Sequence, residues 1–145
     1  MRCDNDKSTY RFICDGNLLV VLDIGTVKLP PTGEEETVFM QLELPLKALP
    51  WVADRFTQYY SGARLGGAML KWDEVIDGEH IYIIYSFGST APDKPGLTLA
   101  NFSRESHLQL STQSQELSMS DEMFLDEGML KTWQELAERY NNGTL

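Results

Sequence analysis

"AMLKWDEVIDGEHIYIIYSF", residues 68–87, is the stretch on which the fold turns. Two runs rich in β-branched and aromatic residues, "AMLKWDEVI" and "EHIYIIYSF", are separated by Asp77-Gly78. A two-residue hairpin loop of type I′ needs positive φ at both central positions, which glycine adopts freely and aspartate tolerates, so Asp-Gly between such runs signals a β-hairpin. Within the second run, successive side chains of a strand point to opposite faces, which sends Ile81 and Ile83 inward and leaves His80 and Tyr82 toward solvent. The chain is therefore expected to be built on antiparallel strands.

Working toward the N-terminus, "TYRFIC" (9–14) and "LLVVLDI" (18–24) flank "DGN", a turn in which Gly16 supplies positive φ, and these form another hairpin. The second of these strands continues through "GTVKL" and breaks at Pro30-Pro31 into a polar loop. "TVFMQLELP" alternates Val38, Met40, Leu42 and Leu44 against Phe39, Gln41 and Glu43, the pattern of a half-buried strand. Leu49, Val52, Ala53, Phe56 and Tyr60 then follow helical spacing over 49–61. Pro50 lies in the first turn, where a missing N–H costs nothing, and Gly62 is placed to end the helix.

Past the central hairpin, "GSTAPDKPG" (88–96) reads as a loop, and "LTLANF" and "HLQLST" as two short strands around "SRES". The end of the chain is helical. Met123, Leu130, Trp133, Ala137 and Tyr140 fall on one face with Leu136 at its edge, Glu135, Glu138 and Arg139 face outward, and Gly128 is placed to divide the segment. The order β-β-β-α-β-β-β-β-α implies a single α+β domain over 1–145. Its expected architecture is one antiparallel sheet of about six or seven strands with two helices packed on one face. The 145 residues suffice for one self-supporting core, and no window approaches the ~20 apolar residues of a membrane span.

The start, "MRCDNDKSTYRF", lacks the apolar core of a secretory signal, so a cytoplasmic setting is expected. Cys3 and Cys14 match no metal or disulfide spacing and are expected as free thiols. The formal charge of −10 is unevenly spread: residues 1–72 carry net −1 and residues 73–145 net −9. A phosphate backbone must be met by clustered Lys and Arg, and the twelve here are scattered singly, so direct nucleic-acid binding is not expected. A one-sided negative field instead steers a basic protein partner.

Catalytic patterns are sparse. "HIYI" at His80 and "HLQL" at His107 resemble the paired motifs of 2H phosphoesterases, in which histidine, a hydrophobic residue, Ser or Thr and a second hydrophobic residue recur. That resemblance implies paired imidazoles as acid and base, but Tyr82 and Gln109 stand where the hydroxyl residues belong. No HExxH or CxxC spacing exists, the EF-hand positions are out of register in "DEVIDGEH", and no glycine-rich loop precedes a helix. No catalytic residue, cofactor or metal is therefore expected. "LLVVLDIGTVKL", "VFMQLEL", "WVADRFTQYY" and "TWQELAERY" resemble the strand and helix order of small acidic type III secretion chaperones, although residues 1–8 are too few and too polar for those proteins' opening cargo-binding helix.

What remains is surface. Asp73, Glu74, Asp77 and Glu79 ring the central hairpin beside Trp72 and Tyr82, and aromatic anchors rimmed by acids suit a hot spot against a basic protein. Residues 116–138 carry net −6, with Asp121, Glu122, Asp126 and Glu127 as further candidate contacts. The expected function is non-enzymatic: an inhibitor or immunity-type protein, antitoxin or phage anti-defence factor occluding the basic face of a toxin, nuclease or defence protein. The alternatives are a secretion chaperone that binds an effector and a phosphoesterase-like enzyme acting through His80 and His107.

Overall fold

A computed structural model of the chain describes residues 2–3, 8–29, 32–62, 71–87, 94–106 and 113–145. The first sheet orders the two-residue strand β1 (Arg2–Cys3), β2 (Ser8–Asp15), β3 (Leu18–Leu29) and β4 (Glu34–Pro45) as β1-β2-β3-β4. A single 3-10 turn, Leu46–Ala48, leads into helix α1 (Leu49–Tyr60). The second sheet orders β5 (Lys71–Ile76), β6 (Glu79–Phe87), β7 (Pro95–Glu105) and β8 (Ser114–Ser120) as β5-β6-β7-β8. The chain ends in α2 (Asp121–Leu125) and α3 (Met129–Asn141). Every strand pair is antiparallel.

The α+β class is thus observed, with the strands divided between two four-stranded sheets where one sheet was expected. Turn chemistry placed the hairpins as the sequence requires. Gly16 has φ 60° between the paired Asp15 and Leu18, and Asp77 and Gly78 have φ 53° and 79° between Ile76 and Glu79. Positive φ at both positions gives a turn whose twist matches that of the strands it joins. Gly128, at φ 82°, divides the terminal helical segment into α2 and α3. Ser120 starts α2, its hydroxyl accepting the Met123 N–H at 3.2 Å, with Asp121 and Glu122 in a first turn that favours negative charge.

One strand escaped the sequence reading. β8 pairs with β7, and its Gln115, Leu117 and Met119 are buried with period two, although three serines and Glu116 give the segment a polar composition. The strand expected over 107–112, His107 included, lies outside the described residues. At the far end of this ladder Gly96 faces Ser120, and a β-carbon there would collide with the Met119 carbonyl, so β7 and β8 approach closely only because residue 96 has none.

The core is one contiguous cluster. Trp133 of α3 is fully buried between Phe12 of β2 and Phe56 of α1, with ring centroids at 5.4 and 5.5 Å in edge-to-face geometry. Phe56 continues to Phe124 of α2 at 4.9 Å, and Tyr59 of α1 reaches Trp72 and Tyr85 of the second sheet at 6.2 and 6.3 Å. The helices α1 and α3 pack together, α3 meets the first sheet through Phe12, and α1 meets aromatics of the second.

Where β4 meets β7 and β8, side chains take the place of a backbone ladder. Gln115 presents its Oε1 to the Glu43 N–H at 2.8 Å and donates Nε2–H to the Glu43 carboxylate at 2.9 Å. Asn101, the ladder partner of Gln115, donates Nδ2–H to the Glu43 carbonyl at 2.8 Å and to Glu79 Oε1 at 3.1 Å. Arg104 closes the group with ion pairs to Glu43 at 3.0 Å and to Glu79. Tyr10 adds a second tie, its hydroxyl donating to the Ser118 carbonyl at 3.2 Å.

Asn101 and Gln115 are 0% and 2% exposed, so truncating either strands a buried backbone group of Glu43. Asn101→Ala and Gln115→Ala are each expected to lower unfolding free energy by about 1–3 kcal/mol, the cost of a buried unsatisfied donor or acceptor. Lys131→Ala, at an exposed helix pair, should stay within about 0.5 kcal/mol. Urea midpoints of the three variants check the contrast.

Candidate functional site

The structure sorts the acids of the central hairpin into two kinds. Glu79 starts β6 on the same face as the buried Ile81, and its carboxylate is taken up by Arg104 and Asn101. That hydrogen bond, ahead of the Coulombic attraction of both glutamates, raises the Arg104 pKa above its ordinary value, and burial opposes the rise. Trp72 is half-buried and packs edge-on against Tyr59, so it faces inward too. Asp77 lies 3.6 Å from Lys47. Asp73 and Glu74 stay exposed.

On the opposite face of the second sheet lies an aromatic group that the turn acids only partly announced. The pairing of Ile81 with Asn101 sets His80 across from Phe102, and Val75 pairs with His80 from the other side. The imidazole and the Phe102 ring meet edge-on at 5.3 Å, and Tyr82 lies nearly parallel to Phe102 at 4.8 Å. Phe102 is 46% and Val75 67% exposed. The neighbouring row across the sheet runs Asp73, Tyr82, Ala100, Glu116, which puts a carboxylate on either side of the rings. Lys71 sits over the Tyr82 ring at 5.8 Å.

Phe102 and Val75 were not among the residues the sequence nominated, and His80 was nominated for the phosphoesterase-like alternative. A signal existed for Phe102: in "LTLANF", Leu97, Leu99 and Asn101 point inward, so Phe102 is an aromatic on the outward side of an alternating strand. Its juxtaposition with His80 depends on the β6–β7 register, which the composition of neither strand reveals.

The acids of α2 form a separate place. Because Ser120 pairs with Gly96, and Gly96 with Ser86, α2 begins at the end of the sheet away from the Asp77-Gly78 turn. At ~3.3 Å per strand residue the two clusters stand roughly 20 Å apart, so they are not one patch. Asp121 accepts the Tyr60 hydroxyl at 2.8 Å, and Glu122 pairs with Lys94 at 3.2 Å. Asp126 is exposed and Glu127 half-buried. Lys94, Pro95, Ser120, Asp121, Glu122, Leu125 and Asp126 line an open depression of about 350 Å³.

His80 Nε2 lies 3.8 Å from Asp73 Oδ2, an ion-pair distance but beyond a hydrogen bond. The carboxylates of Glu43 and Glu79 are both engaged by Arg104 and by side-chain amides. Among the described residues no three His, Cys, Asp or Glu side chains are grouped to hold a metal ion, and no helix is long and apolar enough to cross a membrane. Cys14 is free and exposed. Compared with known proteins, the chain matches no family model and no curated sequence.

The sorting of the acids has a direct readout. Glu79→Gln weakens a charge-assisted pair at the sheet junction and is expected to cost about 1–2 kcal/mol of stability. Asp73→Asn, on the exposed edge, should remain within about 0.5 kcal/mol. Equal losses in paired urea titrations would contradict the division.

Proposed function

We propose that the chain is a non-enzymatic acidic binding protein of the inhibitor or immunity type, and that the outer face of the second sheet seats a basic protein partner. The observation that carries this reading is the cluster of His80, Tyr82 and Phe102, partly exposed, flanked by Asp73 and Glu116, on the face of the sheet away from the core. Rigid aromatic groups supply large contact area at little entropic cost, and they are the side chains that dominate protein interfaces. The carboxylates beside them attract Lys and Arg from a distance and fix orientation on contact.

The chemistry is occlusion. A toxin, nuclease or defence protein works on a polyanion through a basic face, and an acidic, rigid sheet competes for that face. The net charge of −9 over residues 73–145 supplies the long-range part of the attraction, and the aromatic cluster supplies the short-range part. Trp72 and Glu79 act from below, holding β5 and β6 in place, and the exposed Asp73 and Glu74 remain available to a partner.

With a captured basic partner in hand, the association rate should fall steeply as salt is raised, because exposed charges are screened beyond ~8 Å at physiological ionic strength. Tyr82→Ala and Phe102→Ala together should weaken binding by about 2 kcal/mol or more, in the range of an interface hot spot, while Asp73→Lys should act mainly on the association rate. Affinity unchanged by all three substitutions would remove this face. Loss of biological activity in His80→Ala, His107→Ala with partner binding intact would favour the phosphoesterase-like reading.

A further inference from the structure

We propose that β5 is an acceptor edge, at which an extended segment of the basic partner adds to the second sheet as a fifth strand with cationic residues opposite Asp73 and Glu74. This inference rests on the binding role proposed above and specifies how the partner is held. Among the described residues β5 pairs with β6 alone, so its other side presents unpaired N–H and C=O groups in a row.

Natural sheets commonly blunt such an edge with proline, a bulge, a central lysine or other charged side chains. Of these β5 has only the charges of Asp73 and Glu74, which repel like-charged strands and leave the edge open to a cationic one. Its sequence is KWDEVI, its register with β6 is unbroken from Lys71 to Ile76, and its one lysine stands at the first position. The side chains along it are also incompletely covered: Val75 is 67% exposed, and Trp72 and Ile76 are half-buried. A strand laid alongside would cover Trp72 and Ile76 from the core side and extend the Val75, His80, Phe102 row on the outer side.

The charges decide what kind of strand fits. Asp73 and Glu74 are adjacent, so they point to opposite faces, and an incoming strand needs a cation on each face at the middle of the ladder. A second copy of this chain meets the opposite condition. In an antiparallel pairing of two β5 strands about a two-fold axis near the middle of the strand, Asp73 faces Asp73 of the other copy or Glu74 faces Glu74, and like charges directly opposite are destabilising. The acids thus select a cationic segment and disfavour self-association through the same two side chains.

The test uses the whole protein and a fluorescein-labelled peptide containing Val-Val-Lys-Lys-Val-Glu, which places valines opposite Ile76, Val75 and Trp72, lysines opposite Glu74 and Asp73, and glutamate opposite Lys71 in the antiparallel register. Fluorescence anisotropy gives affinity, and amide hydrogen exchange gives location. The expected result is saturable binding, slowed exchange over 71–76, at least a tenfold loss of affinity in Asp73→Lys, Glu74→Lys, and loss of binding when alternate peptide nitrogens on the pairing side are methylated. N-methylation keeps every charge but removes donors from the new ladder. Binding that survives it, protection that appears elsewhere than β5, or no binding at millimolar peptide overturns the edge assignment. Concentration-dependent dimerisation that protects β5 without peptide overturns it in favour of a second copy. None of these outcomes bears on the Tyr82 and Phe102 substitutions, which test the outer face separately.

Discussion

The architecture depends on how the β4 backbone at Glu43 is satisfied. A strand at the end of one sheet approaches two strands of another, and its N–H and C=O would be buried without partners if the join were apolar. Gln115 and Asn101 answer both groups, and because they are ladder partners of each other, they arrive side by side as a unit. Arg104 then neutralises the charge that Glu43 and Glu79 bring into the junction. This join lets the chain keep two separate sheets around one core.

The same join explains the character of the exposed face. Asn101 and Glu79 occupy the inward positions at one end of β7 and β6, so the residues beside them in sequence, Phe102 and His80, must point outward. An aromatic pair on the solvent side follows from the placement of the polar groups below it. The acids of the hairpin divide along the same alternation: Glu79 serves the interior, and Asp73, on the face of Tyr82, serves the surface.

Local chemistry was legible in the sequence, and its long-range assembly was not. The turns at Gly16 and Asp77-Gly78, the helix beginning at Leu49 and the break at Gly128 are set by φ preferences and apolar spacing within a few residues, and each was found. β8 was hidden because its outward positions are serine and glutamate, which made "SQELSMS" resemble the acidic segment that follows it. The division into two sheets was hidden because it turns on amides at 101 and 115 reaching a residue at 43, a relation that no local pattern encodes. Eight candidate contact acids could be named from the sequence, but composition cannot tell a carboxylate paired with arginine from one facing water, and Glu79 shows the difference.

Glu43 also acts as a lock on strand alignment. β3 and β4 share twelve consecutive pairs, and the apolar side of β4 reads Met40, Leu42, Leu44, so sliding the strand by two residues would return apolar side chains to the core unharmed. Hydrophobic burial alone tolerates that error. The junction does not: a slide one way brings up Pro45, which has no N–H for Gln115 to receive, and a slide the other way brings up Gln41, which leaves Arg104 with one carboxylate instead of two. A single half-buried acid thus distinguishes the native alignment from the misalignments that oil and water cannot tell apart.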